Sequence, residues 1–149
     1  LAPPDVLDEI RAVARQVGSR NGFTHRLAVR RLRDVNNSSY RDIPAVRKRV
    51  PYNVAYLNPD DLSRAGVAEG EKIRITSEHG SIVAKAGADK TVRNGVISIS
   101  HCFGGLPDEQ DNYDQEGSST NLLLTLRSNL QTINAMPEMS GIPLRFERV

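Results

Sequence analysis

Val6, Leu7, Ile10, Val13, Ala14 and Val17 recur at intervals of three and four, which lines one face of a helix over residues 4 to 17. Pro3 and Pro4 ahead and Gly18 behind supply its start and stop signals, and a turn runs from Gly18 to Gly22. From residue 23 the period changes to two. Phe23, His25, Leu27 and Val29 point one way and Thr24, Arg26, Ala28 and Arg30 the other, the signature of a strand over residues 23 to 30. Asn36-Asn37-Ser38-Ser39 is a loop former rich in donors and acceptors. A second strand is predicted over residues 52 to 57. Asn58-Pro59-Asp60-Asp61-Leu62 then opens a short helix with an N-cap, a proline in its first turn and acids facing its dipole, and Gly66 closes it.

The remainder reads as β structure. Residues 72 to 77 and 81 to 88 alternate around a turn at Glu78-His79-Gly80, Asn94-Gly95 precedes a strand over 96 to 100, and residues 142 to 149 form a last strand. Six strands and two short helices predict a mainly β fold closed into a barrel. Between His101 and Asn121 lies a long polar loop carrying Gly104-Gly105 and the acids Asp108, Glu109, Asp111, Asp114 and Glu116. A loop of that length inside a compact domain usually serves function.

The length of 149 residues fits one domain with one core. The boundaries predicted are a helix and lead-in over 1–22 and the barrel over 23–149. No apolar run approaches the length needed to span a bilayer or to form a signal-peptide core. Cys102 is the sole cysteine, which excludes an intrachain disulfide or a cysteine metal cluster and makes a cytoplasmic setting the expectation. His25, His79 and His101 are scattered, so no metal ligand set and no catalytic residue is assigned.

Charge adds a candidate partner. The net charge of +2 conceals an asymmetry, because residues 1–50 hold eleven Lys/Arg against five Asp/Glu and residues 51–149 hold nine against thirteen. Arg26, Arg30, Arg31, Arg33, Arg41, Arg47, Lys48 and Arg49 crowd the basic half, and guanidinium groups are shaped to fork onto phosphates. A solvated basic face is the plain alternative. A basic β-barrel module binding single-stranded nucleic acid is another, but Tyr40, Tyr52 and Tyr56 do not make the stacking platform such modules use.

Four blocks together resemble a known family. Leu57-Asn58-Pro59-Asp60-Asp61-Leu62 runs through Ala65-Gly66-Val67-Ala68-Glu69-Gly70-Glu71-Lys72-Ile73 to Ser77-Glu78-His79-Gly80-Ser81. That block is similar to a signature of the molybdopterin dinucleotide-binding domain that ends the large subunits of the dimethyl sulfoxide reductase superfamily of molybdenum and tungsten oxidoreductases. By itself it reports fold, since it caps a helix and sets up a hairpin. Arg26 to Leu32 followed by Asn36-Asn37-Ser38, and Val96 to Gly105, are similar to the family segments that approach the cofactor. Ser118 to Thr125 is similar to a block whose Asn side chain bonds it.

The resemblance implies a six-stranded double-psi β-barrel of the aspartate decarboxylase-like kind, forming part of a larger subunit. It implies a molybdopterin guanine dinucleotide, in the bis form with Mo or W, gripped together with the remaining domains of that subunit. The fragment alone is then not expected to be active. By the same resemblance the cofactor-binding residues are Thr24, His25, Arg26, Leu27, Arg30, Arg31, Asn36, Asn37, Ser38, His101, Phe103 and Asn121. Two alternatives stand beside them: the arginines around 30 to 33 can pair with acids elsewhere in the chain, and Asn121 can cap an apolar turn. Phe103 stands where relatives often have Trp, Cys102 where they often have Gly, and Ser140-Gly141 where some place a phosphate-binding Lys. Gly80-Ser81 matches the self-cleavage pair of aspartate decarboxylases, but a hairpin turn accounts for it.

Overall fold

The computed structural model describes residues 2–16, 22–105, 112–128, 130–131 and 133–149. Helix α1 spans Pro4–Gln16, and the predicted stop at Gly18 lies outside the described residues. The strands are β1 (His25–Arg30), β2 (Val54–Leu57), β3 (Lys72–Thr76), β4 (Ser81–Ala88), β5 (Val96–Ser100) and β6 (Pro143–Arg148). They close into a barrel in the order β1-β5-β2-β4-β3-β6. Two pairs are parallel, β1 with β5 (Leu27 opposite Ile97) and β2 with β4 (Ala55 opposite Ala86), and the other four are antiparallel. This is the closed six-stranded barrel expected.

The period-two pattern fills its interior. Leu27, Ile73, Ile75, Ile97, Ile99 and Leu144 are all at most 2% exposed, and each such side chain contributes about 1.5–3 kcal/mol of hydrophobic stabilisation. Alternate residues face outward, so Arg26, Ala28 and Arg30 sit on the wall of β1 while His25 and Leu27 point in.

β1, β2, β3 and β6 are one or two residues shorter at one or both ends than predicted, whereas β4 and β5 span the predicted residues. Phe23 and Thr24 precede the β1 ladder, although Thr24 N–H still donates to Leu144 O at 3.0 Å. Helix α3 (Pro59–Ala65) forms as read: the Asn58 side chain accepts from Asp60 N–H at 3.0 Å, and Gly66 takes a left-handed φ of 64°.

Two predicted loops carry more structure than their composition announced. The segment after β1 holds bridges Leu32–Val35 and Asn36–Ser39, then helix α2 (Pro44–Arg49). The long polar loop contains helix α4 (Tyr113–Glu116) and a 3-10 turn over Thr120–Leu123; Asp108, Glu109 and Asp111 lie outside the described residues. Asn121 is the second residue of that turn and Ser119 its N-cap, so the capping alternative for Asn121 does not hold.

Candidate functional site

The registers put the ends of β1, β3 and β5 and the starts of β2, β4 and β6 at one rim of the barrel, and the reverse set at the other. This divides the sequence-derived candidates. Arg31, Asn36, Asn37, Ser38, His101, Phe103 and Asn121 belong to the first rim, whereas Thr24 and His25 lie at the second. Leu27 is in the core, with its N–H bonded to Ile142 O at 2.9 Å and its carbonyl to Gly141 N–H at 2.7 Å. Its side chain therefore offers a ligand nothing.

At the first rim, Arg31 Nη1 donates to Asn37 Oδ1 at 2.7 Å, and His101 Nε2 stands 3.5 Å from the same oxygen. Asn37 itself adopts a left-handed φ of 53°. Asn36, Ser38 and Asn121 are exposed, and Phe103 is buried beneath the Arg41 guanidinium, 5.1 Å from its ring centre. Cys102, at φ 76°, follows His101; burial pushes its thiol up from the ordinary value against the opposing pull of Arg31 and Arg41.

A residue that sequence reasoning passed over fixes this rim. Asn53 is 2% exposed; its Nδ2 donates to Ser100 O at 2.8 Å and to Ser118 O at 2.9 Å, while its Oδ1 accepts from Ser118 N–H at 2.9 Å. It joins the end of β5 to the segment leading into Asn121. The signal was available: positions 53, 55 and 57 share the inward face, and 53 is the polar one. Close backbone packing completes the joint. A Cβ on Gly104 would lie 2.4 Å from Ser119 N, and one on Gly117 2.6 Å from Asn53 Oδ1.

Arg30 takes the alternative path. Its guanidinium lies over the Tyr56 ring at 4.1 Å and bonds Asp89 at 2.6 Å on the outer wall. The Asp89 carboxyl is held down at about 2 by hydrogen bonds from Thr91 first and Arg30 second. Tyr52 likewise has the Lys85 ammonium over its ring at 4.4 Å, so in both tyrosines one face is taken by a cation of this chain. Arg26 Nη1 bonds Gly141 O at 2.8 Å.

The second rim is organised by Asp61. Its Oδ2 accepts from Gly95 N–H at 2.8 Å and lies 3.4 Å from His25 Nε2, and Arg64 pairs with its other oxygen. A depression of about 570 Å³ opens there between Thr24, His25, Arg64, Asn94 and Phe146. Among the described residues no group of His, Cys, Asp and Glu is arranged to hold a metal ion, and no helix is long and apolar enough to cross a membrane.

The model of the molydopterin dinucleotide binding domain matches residues 26–143. The chain belongs to that family. The tetrathionate reductase of Salmonella typhimurium has a subunit that is 28% identical over 132 residues, an alignment spanning 76% of this chain and 13% of that protein. Acetylene hydratase from Pelobacter acetylenicus shares the fold with a TM-score of 0.74 at 21% identity, over 90% of this chain and 19% of that one. The molybdopterin-binding chain thus spans a small fraction of the relatives it matches.

The residues at the first rim fit a molybdopterin dinucleotide. His101 Nδ1 is buried and has no hydrogen-bond partner among the described residues, and an unmet ring nitrogen beside an arginine and two exposed amides is suited to a polar ligand. Gly104 keeps the adjoining backbone free of a side chain.

Proposed function

We propose that this domain holds one molybdopterin guanine dinucleotide of a bis pair, carrying Mo or W, along its first rim, as part of a redox subunit whose remaining domains complete the site. The observation that carries this reading is the convergence of Arg31, His101 and Asn37 around one amide oxygen, next to exposed Asn36, Ser38 and Asn121. Arg31 supplies positive charge and a fork for a diphosphate. The Asn amides donate and accept toward guanine, ribose or pterin edges, and His101 Nδ1 gains a partner. Thr24, His25, Arg26 and Arg30 support the strand that presents this loop.

The domain's part in catalysis is placement. The cofactor, when bound, supplies the electron or oxygen chemistry at its metal, and this chain fixes the far end of the ligand and lends charge to it. None of the described residues is assigned to acid-base or nucleophilic work.

Pterin and metal content per polypeptide, measured on the full-length protein, tests this. In the Arg31→Ala/Asn121→Ala double variant both should fall several-fold while the fold is kept. Wild-type occupancy in that folded variant overturns the binding role.

A further inference from the structure

Glu116 is the last residue of α4, and it touches three separate segments. Its carboxylate takes two arginines, Arg41 on one oxygen and Arg47 of α2 on the other. Its carbonyl accepts from Gly104 N–H at 2.8 Å and from Arg41 Nη2 at 3.2 Å. The helical turn that carries it is itself pinned to the barrel wall: Tyr113 OH donates to Asn53 O at 2.6 Å, and Asp114 is held by Lys72 and Lys85, both at 2.9 Å. Gly117, immediately after, packs against Asn53. Glu116 is therefore a fixed point.

The segment after β1 has little else of that kind. Its bridges Leu32–Val35 and Asn36–Ser39 are local, as is the Arg49–Asp34 ion pair at 2.7 Å. The His101–Asn37 approach of 3.5 Å is at the limit of a hydrogen bond. The charge-assisted bonds from Arg41 and Arg47 tie this segment to Glu116, which holds the His101–Gly105 turn through its carbonyl on Gly104 N–H, and Arg41 also lies over Phe103 of that turn.

We infer that Glu116 is a positioning residue: it sets the spacing between the Asn36–Ser38 loop and the His101–Gly105 turn, so that a bound dinucleotide meets both together. The inference rests on the binding role proposed above. An alanine at 116 removes both carboxylate bonds, which releases Arg47 and leaves Arg41 only its bond to the 116 carbonyl and its place over Phe103, so the loop is held less firmly; a glutamine keeps one acceptor and faces the second arginine with an NH2 group, so half the carboxylate link survives.

The experiment is hydrogen exchange and cofactor release on the full-length protein for Glu116→Ala, Glu116→Gln and Arg47→Ala. In Glu116→Ala the amides of residues 36–40 and 101–105 should exchange about tenfold faster, with Ile73, Ile75, Ile97 and Ile99 of the barrel unchanged, and bound cofactor should leave several-fold faster. Glu116→Gln and Arg47→Ala should lie between it and wild type. A role confined to stability would raise exchange in the barrel strands as well, and that pattern overturns the inference. So does wild-type exchange or wild-type release in Glu116→Ala. Failure of the binding role is read separately, from wild-type cofactor content in Arg31→Ala/Asn121→Ala, because exchange reports the coupling whether or not cofactor is present.

Discussion

Asn53 and Ser118 exchange hydrogen bonds in both directions, Asn53 Nδ2 to Ser118 O and Ser118 N–H to Asn53 Oδ1, each at 2.9 Å. The amide mimics a neighbouring strand for a segment that has none, and it does so where the end of β5 must meet the approach to Asn121.

Asn53→Ala should accordingly cost about 3 kcal/mol, because it strands the buried carbonyls of Ser100 and Ser118 and the Ser118 N–H with no route to water. Urea unfolding followed by far-UV circular dichroism measures it. A loss under about 1 kcal/mol would mean that these groups find other partners.

Gly104 and Gly66 make a controlled comparison, since both have positive φ, 87° and 64°, but only Gly104 has backbone where a Cβ would go. Gly66→Ala should cost about 1 kcal/mol, the strain of the left-handed region alone. Gly104→Ala adds displacement of Ser119 and should cost about 3 kcal/mol. Equal values in thermal unfolding would show that the 118–119 segment yields freely.

Much of the barrel was legible because its determinants are local. The Asn58 cap, the Gly66 stop and the alternation of Ile73 and Ile75 each operate within a few residues, so a pattern of caps and periods reveals them. Ion-pair partners are not local. Arg30 finds Asp89 after 59 residues and Arg41 finds Glu116 after 75, distances over which sequence gives no pairing. That is why Arg30, which looked suited to a phosphate, turns out to brace the wall. It is also why Glu116 passed as one more acid in a polar loop. Asn121 and Asn37 were picked out by family likeness, and their shared rim became visible only from the strand registers.

The hydrogen bonds that Asp89 accepts from Thr91 and then from Arg30 predict an acid dependence. The Asp89 carboxyl is lowered from 3.8 to about 2 in the folded chain, so the folded state binds its proton more weakly than the unfolded state. Its contribution is present above the unfolded value and is lost as pH falls from about 4 through about 2. Asp114, also lowered, chiefly by hydrogen bonds from Lys85 and Lys72, has the same sign. The Asp89→Asn variant should therefore lose less stability than wild type between pH 5 and pH 2. Parallel curves from denaturant melts at each pH would refute the coupling.

Tyr113 makes the opposite kind of test, at alkaline pH. Its hydroxyl donates to Asn53 O at 2.6 Å and accepts from Lys85 N–H at 2.8 Å, and burial pushes its ionisation far up, beyond the opposing effect of the Lys85 N–H. A raised folded value means that the stabilisation is present below the unfolded value of 10.0 and is lost as pH rises beyond it. Tyr113→Phe should cost about 2 kcal/mol at neutral pH, because the buried Asn53 carbonyl and the half-buried Lys85 N–H lose their shared partner. It should leave the tyrosinate absorbance of the folded protein unchanged up to about pH 11, since Tyr113 does not ionise there. If the substitution removes tyrosinate signal below that pH, the hydroxyl is open to water, and the joint between α4 and β4 is looser than its two bonds imply.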